Sequence, residues 1–294
     1  MSGSVALRAM REQDVAAVAA LGNRTFDDKD ARLDTAPATP WDDPARLAAS
    51  VRRVAAAVAS DPDGGWVAED GEGMLGAAIA LRRGGLWVLS LLVVRPGAQG
   101  LGTGARLLAA ARRTEPGSSG GLIFASRDPR ALRRYQRAGY ALLPSYQAAG
   151  AVDRALLPGE LGVRDGDPGR DGELFDAVGT ALRGVGHGGD LDALVANGHR
   201  LLVADDRRGQ GFVTVGPAFL GLCGATDVET ARRLLWAALA ESPPEARVMW
   251  VTGAQQWAID VLLDARLSLR SGGSVCVRGD VGPFSPYLPS GVYG

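Results

Sequence analysis

The chain has 294 residues, which suits two α/β modules of roughly 150 residues each. Its 46% hydrophobic content supports packed cores and excludes a disordered chain, and a formal net charge of −1 gives no general pull toward nucleic acid or anionic lipid. Lysine occurs only as Lys29 while arginine is frequent, a skew that together with the many Ala and Gly reflects GC-rich coding rather than phosphate binding. No apolar run reaches ~18 residues and the start lacks a signal-peptide core, so the expectation is no membrane association and a cytoplasmic location. Cys223 and Cys276 sit in apolar strand-like runs and are expected to be free thiols. The histidines are His187 and His199, with no Cys/His/carboxylate cluster at ligand spacing. No metal is expected, nor is a Ser-His-Asp or Cys-His hydrolase, because the first half has no histidine.

In chain order, residues 5–8 read as a short strand and 14–21 as a helix with Val15, Val18 and Leu21 on one face. Residues 23–43, rich in aspartate with two prolines, read as a loop or broken helix, followed by a helix over 44–59. Residues 66–69 and 74–82 form a hairpin around Asp70–Glu72. The apolar run 86–94 suits a strand buried on both faces. A glycine-rich turn leads into a helix over 102–113, then a strand at 122–125, a helix at 129–138 and a last strand over 140–149.

The second half repeats this order. Val163-Arg164 stands 156 residues after Leu7-Arg8, Val203-Ala204-Asp205-Asp206 stands 136 after Val67-Ala68-Glu69-Asp70, and Leu234-Leu235 stands 127 after Leu107-Leu108. Four such matches in order, counting the helix at 262–265 against 135–138, point to a tandem duplication. The boundary is expected in the loop-like residues 150–160, giving domains 1–152 and 153–294. Gly282–Gly294, with Pro283, Pro286 and Pro289, cannot be a regular helix and must drape over something. His187, in a Gly-rich stretch, reads as a flexible loop residue. Gln255, Gln256 and Trp257 read as packing at a helix start.

The chemistry lies in Leu91–Arg113, where a buried strand enters a glycine turn and then a helix. Glycines let the backbone approach a ligand and turn several N–H groups toward it, and the helix start adds partial positive charge. Together they suit a diphosphate. A P-loop would require Gly-Lys-Ser/Thr, whereas Gly104 is followed by Ala105 and Arg106; a Rossmann turn would require a different register from glycines at 100, 102 and 104.

Gln99 to Gly104 resembles the Q/R-x-x-G-x-G/A turn of the GNAT superfamily of N-acetyltransferases. Val93-Val94-Arg95-Pro96 resembles that family's strand end, and Ala131–Tyr140 its downstream helix. The resemblance covers about residues 4–148. It implies an α/β (α+β) fold of two tandem GNAT-like domains, each a mixed, mostly antiparallel sheet flanked by helices. It also implies transfer of an acetyl group from acetyl-CoA, as co-substrate, to a primary amine of a small molecule or peptide, at one site in the N-terminal domain of a monomer or homodimer. Backbone groups of Leu92, Val93 and Val94 would pair with the pantetheine arm, and the amides of Gln99, Gly100, Leu101, Gly102, Thr103 and Gly104 would hold the pyrophosphate. Tyr135 would protonate the departing thiolate. Asp128 stands where many members carry an Asn that contacts CoA.

The strand 86–94 carries no carboxylate where some members place a general base. A base could be Glu69, an aspartate of residues 27–43, a water chain or the carboxylate of Gly294, the last because a C-terminal carboxylate serves as base in some tandem members. Asp27, Trp41 and Ser90 are candidates for the acceptor site. The second copy lacks the turn, places Asp227 and Glu229 before its helix, and has Leu262 where the first has Tyr135; it is expected to be degenerate. The alternative reading is an acyl-CoA-binding sensor or scaffold with incomplete catalytic machinery.

Overall fold

The computed structural model describes residues 5–33, 40, 42–217 and 219–294. The chain packs as two units, Met1–Arg82 with Trp87–Gly121, and Arg83–Leu86 with Leu122–Gly294. The fold is mixed α/β, with mostly antiparallel strands flanked by helices.

Unit 1 holds β1 (Ala6–Ala9), α1 (Val15–Leu33), α2 (Pro44–Ser60), β2 (Gly65–Asp70), β3 (Gly73–Arg83), β4 (Leu86–Val94) and α3 (Thr103–Ala111). Its strands run in the order β1-β2-β3-β4. Alternation and a tight turn at Gly71 and Glu72 set the β2–β3 hairpin, with Gly65 opposite Ile79 and Asp70 opposite Gly73. Leu86 to Leu89 of β4 are fully buried, as a continuous apolar run requires. The helix α2 starts as its sequence dictates: Asp43 accepts from the Arg46 amide at 2.9 Å and Pro44 occupies the first helical position.

The helix α1 departs from expectation. It continues to Leu33 instead of ending near Leu21, so Asp27 lies on a helix and not in a loop. The aspartates misled because they form the helix's wet face: Arg32 pairs with Asp28 at 3.0 Å across one turn, and Lys29 with Asp30 at 2.6 Å. Asn23 is buried and accepts from Ser50 of α2 at 3.0 Å. A polar sequence was here a helix packed on one side.

Unit 2 holds β5 (Gly120–Ala125), α4 (Pro129–Arg137), β6 (Ala141–Ala151), β7 (Arg164–Asp165), α5 (Pro168–Arg183), α6 (Asp190–Ala196), β8 (Arg200–Asp206), β9 (Gly209–Val215), β10 (Leu220–Ala225), α7 (Val228–Ala240), β11 (Glu245–Thr252), α8 (Gln256–Asp264), β12 (Ser268–Gly279) and β13 (Tyr287–Leu288). From β1 to β6 the succession is strand, two helices, three strands, helix, strand, helix, strand. From β7 to β12 the same succession recurs. Strand order is β5-β12-β6-β11-β10-β9-β8-β7, with β13 on β10. Thus β6, from the first half of the sequence, runs antiparallel between β12 and β11 of the second half. That exchange is why the units divide at Gly121 while the succession of elements starts again after residue 151. Ala148 of β6 is completely buried in the core built by α7, α8 and β8 to β12.

The two copies also share an ion-pair motif. Arg8 on β1 grips Asp14 through two hydrogen bonds of 2.7 and 2.9 Å and reaches Glu69 on β2 at 3.1 Å. Arg164 on β7 grips Asp171 at 3.0 and 2.7 Å, with Asp205 on β8 at 3.9 Å. Each arginine ties a first strand to the start of the following helix. Asp14 and Asp171 are both held well below the usual carboxylate range, first by those arginine hydrogen bonds, although burial opposes it.

Candidate functional site

The connection from β4 to α3 is built by its glycines. Ala98 donates its amide to the Arg95 carbonyl at 3.0 Å, and Gly97 has φ +84°, so Pro96-Gly97 forms the centre of a type II turn. The Gln99 side chain donates back to the Val94 carbonyl at 3.0 Å and pins the turn to the strand end. Gly100 and Gly102 sit at φ +88° and +86°, a conformation other residues adopt only with strain, and Gly102 caps α3. Among the described residues, the amides of Gln99 through Gly104 donate no hydrogen bond to protein groups. They border a helix start carrying partial positive charge. A Cβ at Gly97, Gly100 or Gly102 would meet nothing within 4 Å, so the space over these glycines is open.

Behind the turn, Gly76 of β3 lets the layers close. A Cβ there would lie 2.6 Å from the Val93 carbonyl and 2.9 Å from Leu107 of α3. The Arg95 amide donates to Leu75 at 2.7 Å, so the end of β4 is fixed from the β3 side. Sequence reasoning passed over Gly76. An isolated glycine inside a strand pattern was the available signal.

Tyr135 lies on α4, in unit 2, and is 6% exposed. Burial raises its phenol well above the ordinary value; Arg134 opposes this, while Cys276 and Asp128 add to it. The phenol therefore stays protonated at neutral pH, and among the described residues its hydroxyl has no hydrogen-bond partner. Asp128 has a local job: it caps α4 through the Arg130 amide at 2.9 Å and receives the Arg130 guanidinium at 2.7 Å.

The acetyltransferase (GNAT) domain family matches residues 61–142, a span that contains both the glycine turn and Tyr135. Residues 61–142 are therefore the stretch similar to a GNAT domain. Among solved structures, a putative acetyltransferase from Pyrococcus horikoshii superposes over 100% of this chain and 97% of its own, with TM-score 0.77 and 16% identity. A tandem GNAT protein from the clavulanic acid biosynthesis pathway superposes over 94% of this chain and 98% of its own, with TM-score 0.58 and 14% identity. A GCN5-related N-acetyltransferase from Sphaerobacter thermophilus covers 95% of this chain and 96% of its own, with TM-score 0.56 and 14% identity. At these identities the likeness is one of fold, and it is the tandem GNAT fold. No curated protein matches the chain in sequence.

Within the GNAT frame the remaining residues separate. Leu92 and Val94 are half-buried, Val93 is buried, and Ser90 is half-buried on the same strand. Asp27 is exposed on α1, and Trp41 lies outside the described residues, as does Asp34 of the acidic segment. Glu69 is engaged by Arg8, and the matching Asp205 beside Arg164 occurs in the copy without a glycine turn. The arrangement is therefore a feature of the fold shared by both copies. The main-chain oxygen of Gly294 accepts from the Tyr287 hydroxyl at 2.6 Å. His187, expected in a flexible loop, is completely buried: its amide donates to Asp176 at 2.7 Å, its Nε2 lies 3.1 Å from the Tyr287 hydroxyl, and its ring packs on Phe175.

In the second copy β10 reaches α7 through Thr226 and Asp227 alone. Asp227 accepts from the amide and the hydroxyl of Thr230, both at 2.8 Å. Burial works against its charge, but these bonds and that of Thr226 outweigh it and lower its pKa. The helix start is filled by the chain's own carboxylate. Leu262 is fully buried on α8. Both cysteines are free and buried. Among the described residues no helix is long and apolar enough to cross a membrane, and no His/Cys/Asp/Glu group could hold a metal ion.

Proposed function

We propose that the chain transfers an acetyl group from acetyl-CoA to a primary amine, small-molecule or peptide, through one cofactor site in its first copy. The observation that carries this reading is the row of unpartnered amides from Gln99 to Gly104 at the start of α3. A diphosphate supplies the acceptors that such amides lack. In the proposed reaction the neutral amine attacks the thioester carbonyl, the tetrahedral intermediate collapses, and the CoA thiolate leaves. Tyr135 donates its proton to that sulfur; a phenol kept protonated by burial suits an acid that acts late. The amine nitrogen releases its proton to water or to a base. Leu92, Val93 and Val94 are proposed to pair their backbone with the pantetheine arm.

The test is calorimetric titration with acetyl-CoA of the wild type and of Gly102→Asp, with a thiol-release assay over a panel of amines. The variant sets a carboxylate and a strained φ against the diphosphate, and affinity is expected to fall at least ~100-fold, about 2.7 kcal/mol. Retained affinity would sink the site. A second reading, acyl-CoA binding without transfer, is favoured by one observation: Glu69, the candidate base on unit 1, is held by Arg8. Tight binding with no thiol release from any amine would select it.

A further inference from the structure

Strand β10 has two edges with different fates. One pairs with β9 from Leu220 opposite Val215 to Ala225 opposite Gly211. The other meets β11 in parallel at Leu220 opposite Val248, and there β13 takes over, with Cys223 opposite Leu288 and Gly224 opposite Tyr287. The Ala225 amide donates to the Pro286 carbonyl at 3.3 Å. Beyond Val248, β11 shifts register against β6 and Trp250 adopts φ +63°, strained for a bulky residue. Two parallel strands thus part company, and the proline-rich segment enters the fork.

The segment is held firmly. Gln255 donates to the Phe284 carbonyl at 3.0 Å, Arg183 to the Tyr293 carbonyl at 2.8 Å, and Tyr287 to Gly294 at 2.6 Å. Tyr287 and Leu288 are no more than 1% exposed. Gly291 passes so close to Trp250 that a Cβ would lie 2.7 Å from its indole nitrogen. Arg183 is itself fully buried and also bonds the Val185 and Gly186 carbonyls.

Cys223-Gly224-Ala225 end the strand that precedes α7, as Leu92-Val93-Val94 end the strand that precedes α3. We infer that residues 284–294 are a built-in occupant of the second copy's cofactor fork, with Pro286 to Leu288 lying along the strand edge that answers to the pantetheine edge of the first copy. The chain's own backbone takes the hydrogen bonds a pantetheine arm would make, and Asp227 takes those of the diphosphate. The second copy is closed to acyl-CoA by substitution on both counts. This inference rests on the proposed assignment of Leu92–Val94 for its comparison, while the occupancy itself is a property of unit 2.

The experiment is hydrogen–deuterium exchange of the intact chain, with and without saturating CoA, paired with calorimetric stoichiometry. Residues 284–294 and 220–225 are expected to exchange at comparable slow rates, unchanged by CoA, while residues 95–106 slow at one CoA per chain. Tyr287→Phe keeps the strand but loses the hydroxyl's bonds, and should speed exchange of 284–294 about tenfold with the stoichiometry still one. Fast exchange of 284–294 in the wild type, acceleration by CoA, or two CoA per chain would each overturn the inference. If CoA binds nowhere and 284–294 stays slow, the glycine-turn reading fails and the fork is still closed by the chain itself.

Discussion

The two copies build the same succession of strands and helices but treat one short connection differently. In the first, residues 95–102 carry three glycines at positive φ and, among the described residues, leave a row of amides without protein partners. In the second, Thr226 and Asp227 join strand to helix and the carboxylate answers the helix start from within. The lesson is that a helix N-terminus demands an anion or an equivalent acceptor whichever copy it is in. Where the chain provides it, the fold is finished. Where it does not, the amides are left to water or, on the proposed reading, to a bound diphosphate.

The largest expected effect concerns Tyr135, which faces no counterpart hydroxyl in the second copy because Leu262 stands there. Tyr135→Phe should lower kcat about 100-fold or more, the range for loss of a positioned acid, with acetyl-CoA affinity unchanged. Steady-state kinetics beside calorimetry checks both halves. An unchanged kcat would remove Tyr135 from the chemistry.

On stability rather than turnover, the largest expected effect is a pH dependence that belongs to the second copy. His187 and His199 are pushed down to about 4, in each case first by burial, with Arg183 adding to it at His187. The unfolded chain takes up these protons near its ordinary pKa of 6.5, while the folded chain refuses them until about 4. Stability is therefore complete above pH 6.5 and falls as pH drops toward 4, by on the order of 3 kcal/mol per histidine at the limit. Scanning calorimetry between pH 7.5 and 4.5 should show Tm falling through that window, and His199→Gln should reduce the slope. A flat Tm would mean that neither ring is held neutral.

Gly76→Ala tests whether the first copy's turn depends on the layer beneath it. The added methyl meets the Val93 carbonyl and Leu107, and neither can retreat without moving β4 or α3. A loss of about 1–3 kcal/mol is expected, with weaker acetyl-CoA binding because Val93 shifts. Full affinity in a destabilised variant would show that the turn is positioned without β3.

Most of the architecture was legible because it rests on local signals. The glycine turn, the capped start of α2, the buried run of β4 and the helix beginning at Gln256 each announce themselves within a few residues. What escaped were decisions made at a distance. The aspartates after Asn23 looked like a loop until α2 supplied a partner for the helix's other face. His187 looked mobile among glycines because its burial depends on Tyr287, a hundred residues away. The placement of β6 between β12 and β11 has no local signature at all, since either copy's core could accept its apolar alternation.

The smallest effect falls on the second copy. Asp227→Ala removes the cap of α7, and thermal unfolding should report a loss of about 1 kcal/mol. Acetyl-CoA affinity should not change in either direction. Removing the carboxylate frees the amides it satisfied, yet Thr226 and the replaced residue are too few to form a cradle. The strand edge beside them also stays paired with Pro286 to Leu288. A second acetyl-CoA bound by this variant would mean that a single charge, and not the shortened connection and the seated segment, separates the two copies.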